Sequence, residues 1–162
     1  MKEKSHDLIS ILARHSENTF RSMEILFDTF PGEDFAAVVN GFPIWRQFYH
    51  TLNSMDRIYT DPIDYAYPEF HVENMNDLEA ESDRRLDKNT LLRYYGGIKE
   101  NVRSYLSNLR ESELYLKSNH QTIDMTKLDH ILAQLRHMAW HIGYLHGCAK
   151  VKYGKTPEHI LV

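Results

Sequence analysis

The chain has 162 residues, which fits one domain that is large enough to bury a hydrophobic core. Hydrophobic residues make up 42% of the chain and charged residues 26%, a balance typical of soluble domains. The formal net charge is −4 and no more than two basic residues are adjacent, so the composition argues against a nucleic-acid partner.

The first two predicted helices are bounded by proline. The first extends from about Ser5 to Phe30, where the breaker pair Pro31-Gly32 ends it. The second begins at Pro43, because proline suits the first turn of a helix, and a further proline ends it at Pro62. The inner stripe predicted for the first helix contains Leu8, Leu12, His15, Thr19, Met23 and Leu26.

Polar capping residues precede the third and fourth predicted helices. The third follows Asp87 as its N-cap and extends to about Leu116. The fourth follows either Thr126 or Asp124 as its N-cap and ends before Gly154. The apolar face of the fourth helix contains Leu128, Ile131, Leu132, Leu135, Met138, Ile142 and Leu145.

Two adjacent glycines, Gly96 and Gly97, interrupt the pattern of the third helix. Each costs roughly 1 kcal/mol relative to alanine in a helix interior. They indicate either a tolerated kink or a close approach of the backbone to a neighbouring helix or ligand.

Four amphipathic helices without strands to pair predict an all-α protein, a four-helix bundle forming a single domain over residues 1–162. The segment VVNGF at 38–42 is too short and isolated to build a sheet. A long loop at 61–86 separates the second and third helices, and loops of this length are often lids, crossovers or partner surfaces. Tyr65, Tyr67 and Phe70 in this loop either form such a surface or hold the loop against the bundle.

No apolar run approaches the ~20 residues that a membrane span requires. The N-terminal segment MKEKSHDLIS lacks the apolar centre of a signal peptide. Cys148 is the only cysteine, so no internal disulfide can form. Together these observations predict a cytoplasmic protein, in which Cys148 is a small buried side chain or, if it is exposed, a redox-active thiol.

Histidines concentrate in LRHMAWHIGYLHGC at 135–148. His137 and His141 are four residues apart, which places them on one helix face with Cβ atoms ~6 Å apart, where both imidazoles can bind one ion. A third ligand must come from another helix, and His50 is the best candidate because core-like residues surround it in the second helix. Two histidines on facing helices also suit haem, and the spacing leaves that alternative open.

The remaining histidines are poorer candidates. His146 is rotated away from His141, and His130 lies two turns from His137, too far for one ion. Cys148 is likewise two turns beyond His141. His15, on the inner stripe of the first helix, is the candidate for a fourth ligand or a contact to a ligand.

Three segments resemble the DinB-like (YfiT-like) superfamily of metal-binding helical proteins. They are WRQFYHTLNSMDRIY in the second helix, LLRYYGGIKENVRSYLSNL in the third and LRHMAWHIGYLHG in the fourth. The resemblance covers residues 40–150 and implies a four-helix bundle that holds a divalent ion, commonly nickel or zinc, with three histidines. Matched by position, these are His50, His137 and His141. Asp56 matches an acidic position of the family, where a structural role is at least as good as metal binding.

The resemblance also implies activities. Some relatives are thiol-dependent S-transferases or isomerases, so the partners would be a low-molecular-weight thiol and a small-molecule substrate. A metal-assisted hydrolase is one alternative, with Tyr49 or Tyr144 as a proton donor or as a packed core residue. A non-catalytic dimeric interaction module with a structural or vestigial metal site is another. We expect a homodimer in either case, because bundles of this size often pair through a helix face.

Overall fold

A computed structural model describes residues 7–80, 82, 84–120 and 124–160. The predicted start of the first helix at Ser5 lies outside these residues. Short 3-10 turns at Gly32–Ala36 and Glu111–Tyr115 join the main elements. In chain order these elements are α1 (Leu8–Thr29), β1 (Val38–Val39), β2 (Phe42–Pro43), α2 (Ile44–Tyr59), α3 (Lys88–Asn108) and α4 (Lys127–Tyr153).

Side chains cap three of the helices at their N-termini. The Asp7 carboxylate accepts the Ser10 N–H at 2.8 Å, and the Asp87 carboxylate accepts the Thr90 N–H at 2.9 Å. At the start of α4 the Thr126 hydroxyl accepts the N–H of Asp129 at 3.1 Å, and the Asp129 carboxylate accepts the N–H of Thr126 at 3.0 Å. This reciprocal capping box identifies Thr126 as the N-cap of α4.

The prediction that the third helix reaches Leu116 is wrong, because α3 ends at Asn108. The Glu113 carboxylate accepts the N–H of Arg110 at 2.9 Å, which starts a separate 3-10 turn. The chain then pairs with the segment before α4, where the Ser118 N–H donates to the Met125 carbonyl at 2.9 Å. Both interactions compete with continuation of the helix.

The segment VVNGF forms a minimal hairpin where no sheet was expected. Val39 pairs with Phe42, and Asn40 and Gly41 both have positive φ (52° and 92°), as a type I′ turn requires. The hairpin leads directly into α2, since the Ile44 N–H donates to the Ala37 carbonyl at 3.0 Å.

The four helices form a bundle in which α1 packs against α3 and α4, and α2 packs against the same two helices. The second and third helices are therefore neighbours, and α2 lies beside α4. An aromatic cluster occupies the core, with the Phe48 ring centroid 4.4 Å from Phe27 and 5.2 Å from Phe35. None of the helices in the described part of the chain combines the length and apolar character that crossing a bilayer requires.

The long loop after α2 lies on the bundle. The Phe70 ring packs edge-on against Tyr49 and Tyr94, and Met75 is completely buried. The Tyr65 hydroxyl accepts a hydrogen bond from Asn53 at 2.8 Å. These contacts agree with the expectation that the loop aromatics hold the loop in place.

Candidate metal centre

The fold brings His50, His137 and His141 together. His50 is on α2, the other two are one turn apart on α4, and one ring nitrogen of each lies within 4.8 Å of the others. The His50 ring centroid is 4.7 Å from that of His141 and 5.5 Å from that of His137. These are the three histidines predicted from the sequence, and they meet because α2 and α4 are neighbours in the bundle.

Hydrogen bonds from outside the triad set the tautomers of two histidines. Nδ1 of His50 is 2.6 Å from the carbonyl oxygen of Asn76, and Nδ1 of His141 is 3.2 Å from Oε1 of Gln47. Since these oxygens only accept, each Nδ1 carries the proton and donates it. Each Nε2 therefore has a free lone pair, as oriented histidine ligands of metal sites do.

His137 completes the arrangement. Its Nε2 lies 2.9 Å from Nε2 of His141, and its buried Nδ1 has no hydrogen-bond partner in the described part of the chain. A proton on His137 Nε2 that is donated to His141 Nε2 accounts for this distance, and a cation would take its place once that proton moves to Nδ1. Nitrogen ligands around a tetrahedral ion are about 3.3 Å apart, so small side-chain movements would seat one. The three imidazoles fit a divalent ion.

Burial favours the neutral form of His137 and His141, which is the form that binds metal. It lowers the pKa of His141 to about 3, and the nearby His137 and His50 rings add to this effect. Burial also lowers the pKa of His137, with a smaller effect from His50. No proton therefore has to leave either ring near neutral pH before an ion binds.

The triad lies beside a cavity of about 280 Å³. Because His50 and His137 are part of its lining, an ion held by the triad would lie next to space for a ligand, which a catalytic centre requires. The cavity is lined by His50, Asn53, Ser54, Arg57, Ile58, Asn76, His120, His130 and His137.

His15 is not part of the centre, so its predicted role as a fourth ligand is wrong. It is exposed and lines a separate cavity of about 360 Å³ between α1 and α4, together with His146 and His159. The buried face of α1 is centred on other side chains, and the rotation of the helix about its axis places His15 at the margin of that face. That face includes Leu12, Ser16, Phe20, Met23 and Phe27.

Cys148 and Asp56 have structural surroundings. Cys148 is 1% exposed, burial raises the pKa of its thiol, and its Sγ lies 4.0 Å from Nδ2 of Asn40. These features fit the small buried side chain and not the redox-active thiol. The Asp56 carboxylate accepts the Tyr94 hydroxyl at 2.7 Å and so connects α2 to α3.

The two tyrosines considered as proton donors have partners elsewhere. The Tyr49 hydroxyl lies 2.6 Å from Nδ1 of His71 in the long loop, and the Tyr144 hydroxyl donates to the Asn40 carbonyl at 3.0 Å. Burial raises the pKa of both. Their surroundings match the alternative reading, core tyrosines with hydrogen-bonded hydroxyls.

Sequence reasoning missed Gln47 and Asn76, which orient the triad. Gln47 precedes His50 by three residues, so helical spacing places both on one side of α2 and a search for polar neighbours would have found it. Asn76 contributes a backbone carbonyl from a loop, for which no side-chain pattern exists. His120 and Arg57, which line the cavity, were also missed.

Comparison of the chain with protein-family models, curated proteins and solved structures finds no match. The class of this protein is therefore defined by the geometry of its fold and of its candidate site. It is a helical bundle with a candidate three-histidine metal centre beside a polar cavity.

Proposed function

We propose that this protein is a metal-dependent enzyme of the DinB-like superfamily, with a divalent ion, nickel or zinc, held by His50, His137 and His141. The observation that carries the proposal is the convergence of three imidazoles within 4.8 Å at the edge of a cavity. The order and spacing of the W-R-x-x-x-H and H-x-x-x-H segments support the family assignment.

The reaction we propose is transfer of a low-molecular-weight thiol to a small electrophilic substrate. Three neutral imidazoles leave the +2 charge of an ion uncompensated, which favours binding of a thiolate over a neutral thiol. Gln47 and Asn76 would hold His141 and His50 in orientation while the cavity admits the reactants. A cavity of about 280 Å³ suits small molecules.

Metal-assisted hydrolysis is the alternative reaction at the same centre. A hydrolase of this kind commonly uses a carboxylate as general base. Among the described residues no Asp or Glu lines the cavity, and the Tyr49 and Tyr144 hydroxyls have other partners. The transferase is therefore the better-supported proposal.

A non-catalytic dimeric module is the alternative of a different class. Leu132, Trp140 and Val151 are exposed apolar side chains on α4 and would suit a helix-to-helix contact. An open cavity beside the triad favours the enzyme over this module. The predicted homodimer is compatible with both and is measured by sedimentation velocity.

Metal content by mass spectrometry tests the proposal. Wild-type protein exposed to zinc or nickel and then desalted is expected to retain about one ion per chain. His50→Ala and His137→Ala are expected to lose the ion, because each removes one of only three ligands. His15→Ala is the matched control, since it removes an exposed histidine from a different cavity.

Circular dichroism of each variant separates loss of ligands from loss of fold. Retention of the ion by a folded His50→Ala or His137→Ala variant would exclude the triad as the centre. Absence of metal from the wild type after both ions are offered would exclude the enzyme proposal altogether.

A further inference from the structure

The cavity beside the triad has a chemical character that the chain as a whole lacks. The chain contains 23 acidic and 19 basic residues. The cavity lining contains one arginine, four histidines, two asparagines, one serine and one isoleucine, and no Asp or Glu from the described part of the chain. Although the protein as a whole is acidic, the described lining of the cavity next to the candidate metal centre contains no carboxylate.

Arg57 supplies the positive charge of this cavity. It lies in the last turn of α2, seven residues after His50 and so about 10 Å further along the helix axis. Within residues 7–80, 82, 84–120 and 124–160 its guanidinium makes no hydrogen bond or ion pair. Its neighbour Asp56 is hydrogen-bonded to Tyr94 and Thr60. The side chain is exposed, and its five donors have no partner among the described residues, so they can face a ligand.

His130 places a second polar ring in the lining of this cavity. Oγ of Ser118 accepts the His120 backbone N–H at 3.4 Å and lies 2.7 Å from Nδ1 of His130. A Ser118 hydroxyl that donates to Nδ1 leaves the His130 proton on Nε2, which is then a donor for a ligand. The His130 side chain is only 8% exposed, yet it lines the cavity.

His120 holds this donor in place. Its Nε2 donates to the Ile58 carbonyl at 3.2 Å, and its ring packs edge-on against His130 at 4.6 Å. The amides of Asn53 and Asn76 already donate within the protein, to Tyr65 and to Asn53 respectively. The second N–H of Asn53 points to Tyr94, and the Ser54 hydroxyl donates to Gln134. Arg57 is thus the charged donor that the cavity lining offers to a ligand, and His130 lines the same cavity.

We propose that this cavity binds the carboxylate of a small organic anion, with Arg57 as the charged partner and His130 as a second donor, while the other end of the ligand faces the triad. One guanidinium and one neutral imidazole complement a single negative charge. The planar fork of arginine matches the two oxygens of a carboxylate. The position of the other end of the ligand rests on the proposed metal centre, whereas the carboxylate site does not.

Binding of adipate, a flexible dicarboxylate, tests the inference. Its affinity is measured by calorimetry or by chemical-shift titration for wild type, Arg57→Gln and Arg57→Lys, each in metal-free and zinc-treated form. Arg57→Gln is expected to weaken adipate binding about ten-fold, because a charge-assisted pair is lost, and Arg57→Lys less so. Arg21→Gln is the control, since it removes an exposed arginine on α1 and should change nothing.

Neutral adipamide and inorganic phosphate complete the test. Adipamide has the same shape without the charge and is expected to bind at least ten-fold more weakly than adipate. Equal adipate affinity of wild type and Arg57→Gln in both forms, or equal binding of adipamide, would overturn the inference. Tighter binding of phosphate than of adipate would overturn the choice of a carboxylate.

The metal-free measurements separate the two proposals. Wild type that takes up no zinc but binds adipate in an Arg57-dependent way would contradict the metal centre and support the carboxylate site. Uptake of zinc without any adipate binding in either form would support the metal centre and contradict the carboxylate site.

Discussion

At the scale of single residues, the candidate centre depends on two oxygens outside the H-x-x-x-H segment. Oε1 of Gln47 and the carbonyl oxygen of Asn76 each occupy one ring nitrogen, so that the other nitrogen of His141 or His50 has its lone pair free. The pairing of His137 with His141 follows from sequence because helical spacing places both side chains on one face, and His50 was predicted from its core-like neighbours. The role of Asn76 does not follow from sequence, because Asn76 contributes a backbone carbonyl and every residue has one.

Burial of His141 makes the metal-free protein sensitive to acid. In the folded chain its pKa is about 3, while in the unfolded chain it returns to the ordinary value of 6.5. Below pH 6.5 the unfolded state therefore binds a proton that the folded state does not. The contribution to stability is complete above pH 6.5 and is lost as the pH falls towards 3, by about 1 kcal/mol per pH unit.

Urea unfolding of metal-free protein at pH 7.0 and 5.0 measures this loss. His141→Gln keeps a side-chain donor for Gln47 but has no titrating group, so its free energy of unfolding should fall less over the same interval. An identical decrease in wild type and His141→Gln would show that another group causes the acid sensitivity.

At the scale of helices, starts were easier to predict than ends. The caps Asp87 and Thr126 act through residues two or three positions away, so the sequence alone reveals them. The predicted end of α3 was wrong because the actual end depends on the pairing of Ser118 with Met125, which lies beyond the helix itself. Helix propensity is a property of the local sequence and therefore does not account for hydrogen bonds that a distant segment offers instead.

The surroundings of the two glycines of α3 distinguish between the two alternatives that the sequence leaves open. Gly96 and Gly97 are exposed, and a Cβ built on either one meets nothing within 4 Å. Among the described residues the α3 backbone therefore makes no close approach to a neighbouring helix at these positions, and the tolerated interruption is the alternative that the structure supports. The residues only weaken a helix that continues through them.

Gly97→Ala is consequently expected to stabilise the protein by about 0.5–1 kcal/mol, because alanine loses less conformational entropy on folding. Urea denaturation measures the change. Gly154→Ala provides the opposite control, since Gly154 ends α4 with a φ of +75°, where a side chain is strained. If Gly97→Ala destabilised the protein instead, the backbone at position 97 would have a close neighbour that the structure does not show.

At the scale of the whole molecule, the helical content was predicted but the arrangement of the helices was not. Apolar stripes show which faces are buried, and several arrangements bury the same faces. The observed packing of α2 against α3 and α4 is what lets His50 meet His137 and His141. The long loop keeps these helices close and provides the Asn76 carbonyl.

The hydrogen bond from His50 to the Asn76 carbonyl would couple binding of an ion at the candidate centre to opening of the loop. If an ion is bound best when His50 is held by the loop, then by reciprocity a bound ion makes the loop harder to open. Amide hydrogen exchange around Met75 and Asn76 should therefore slow several-fold when zinc is added. The same amides in His137→Ala should exchange at one rate with and without zinc. Equal slowing in both proteins would mean that zinc acts elsewhere on the loop. The loop would thus report, from the surface of the protein, whether the interior centre is filled.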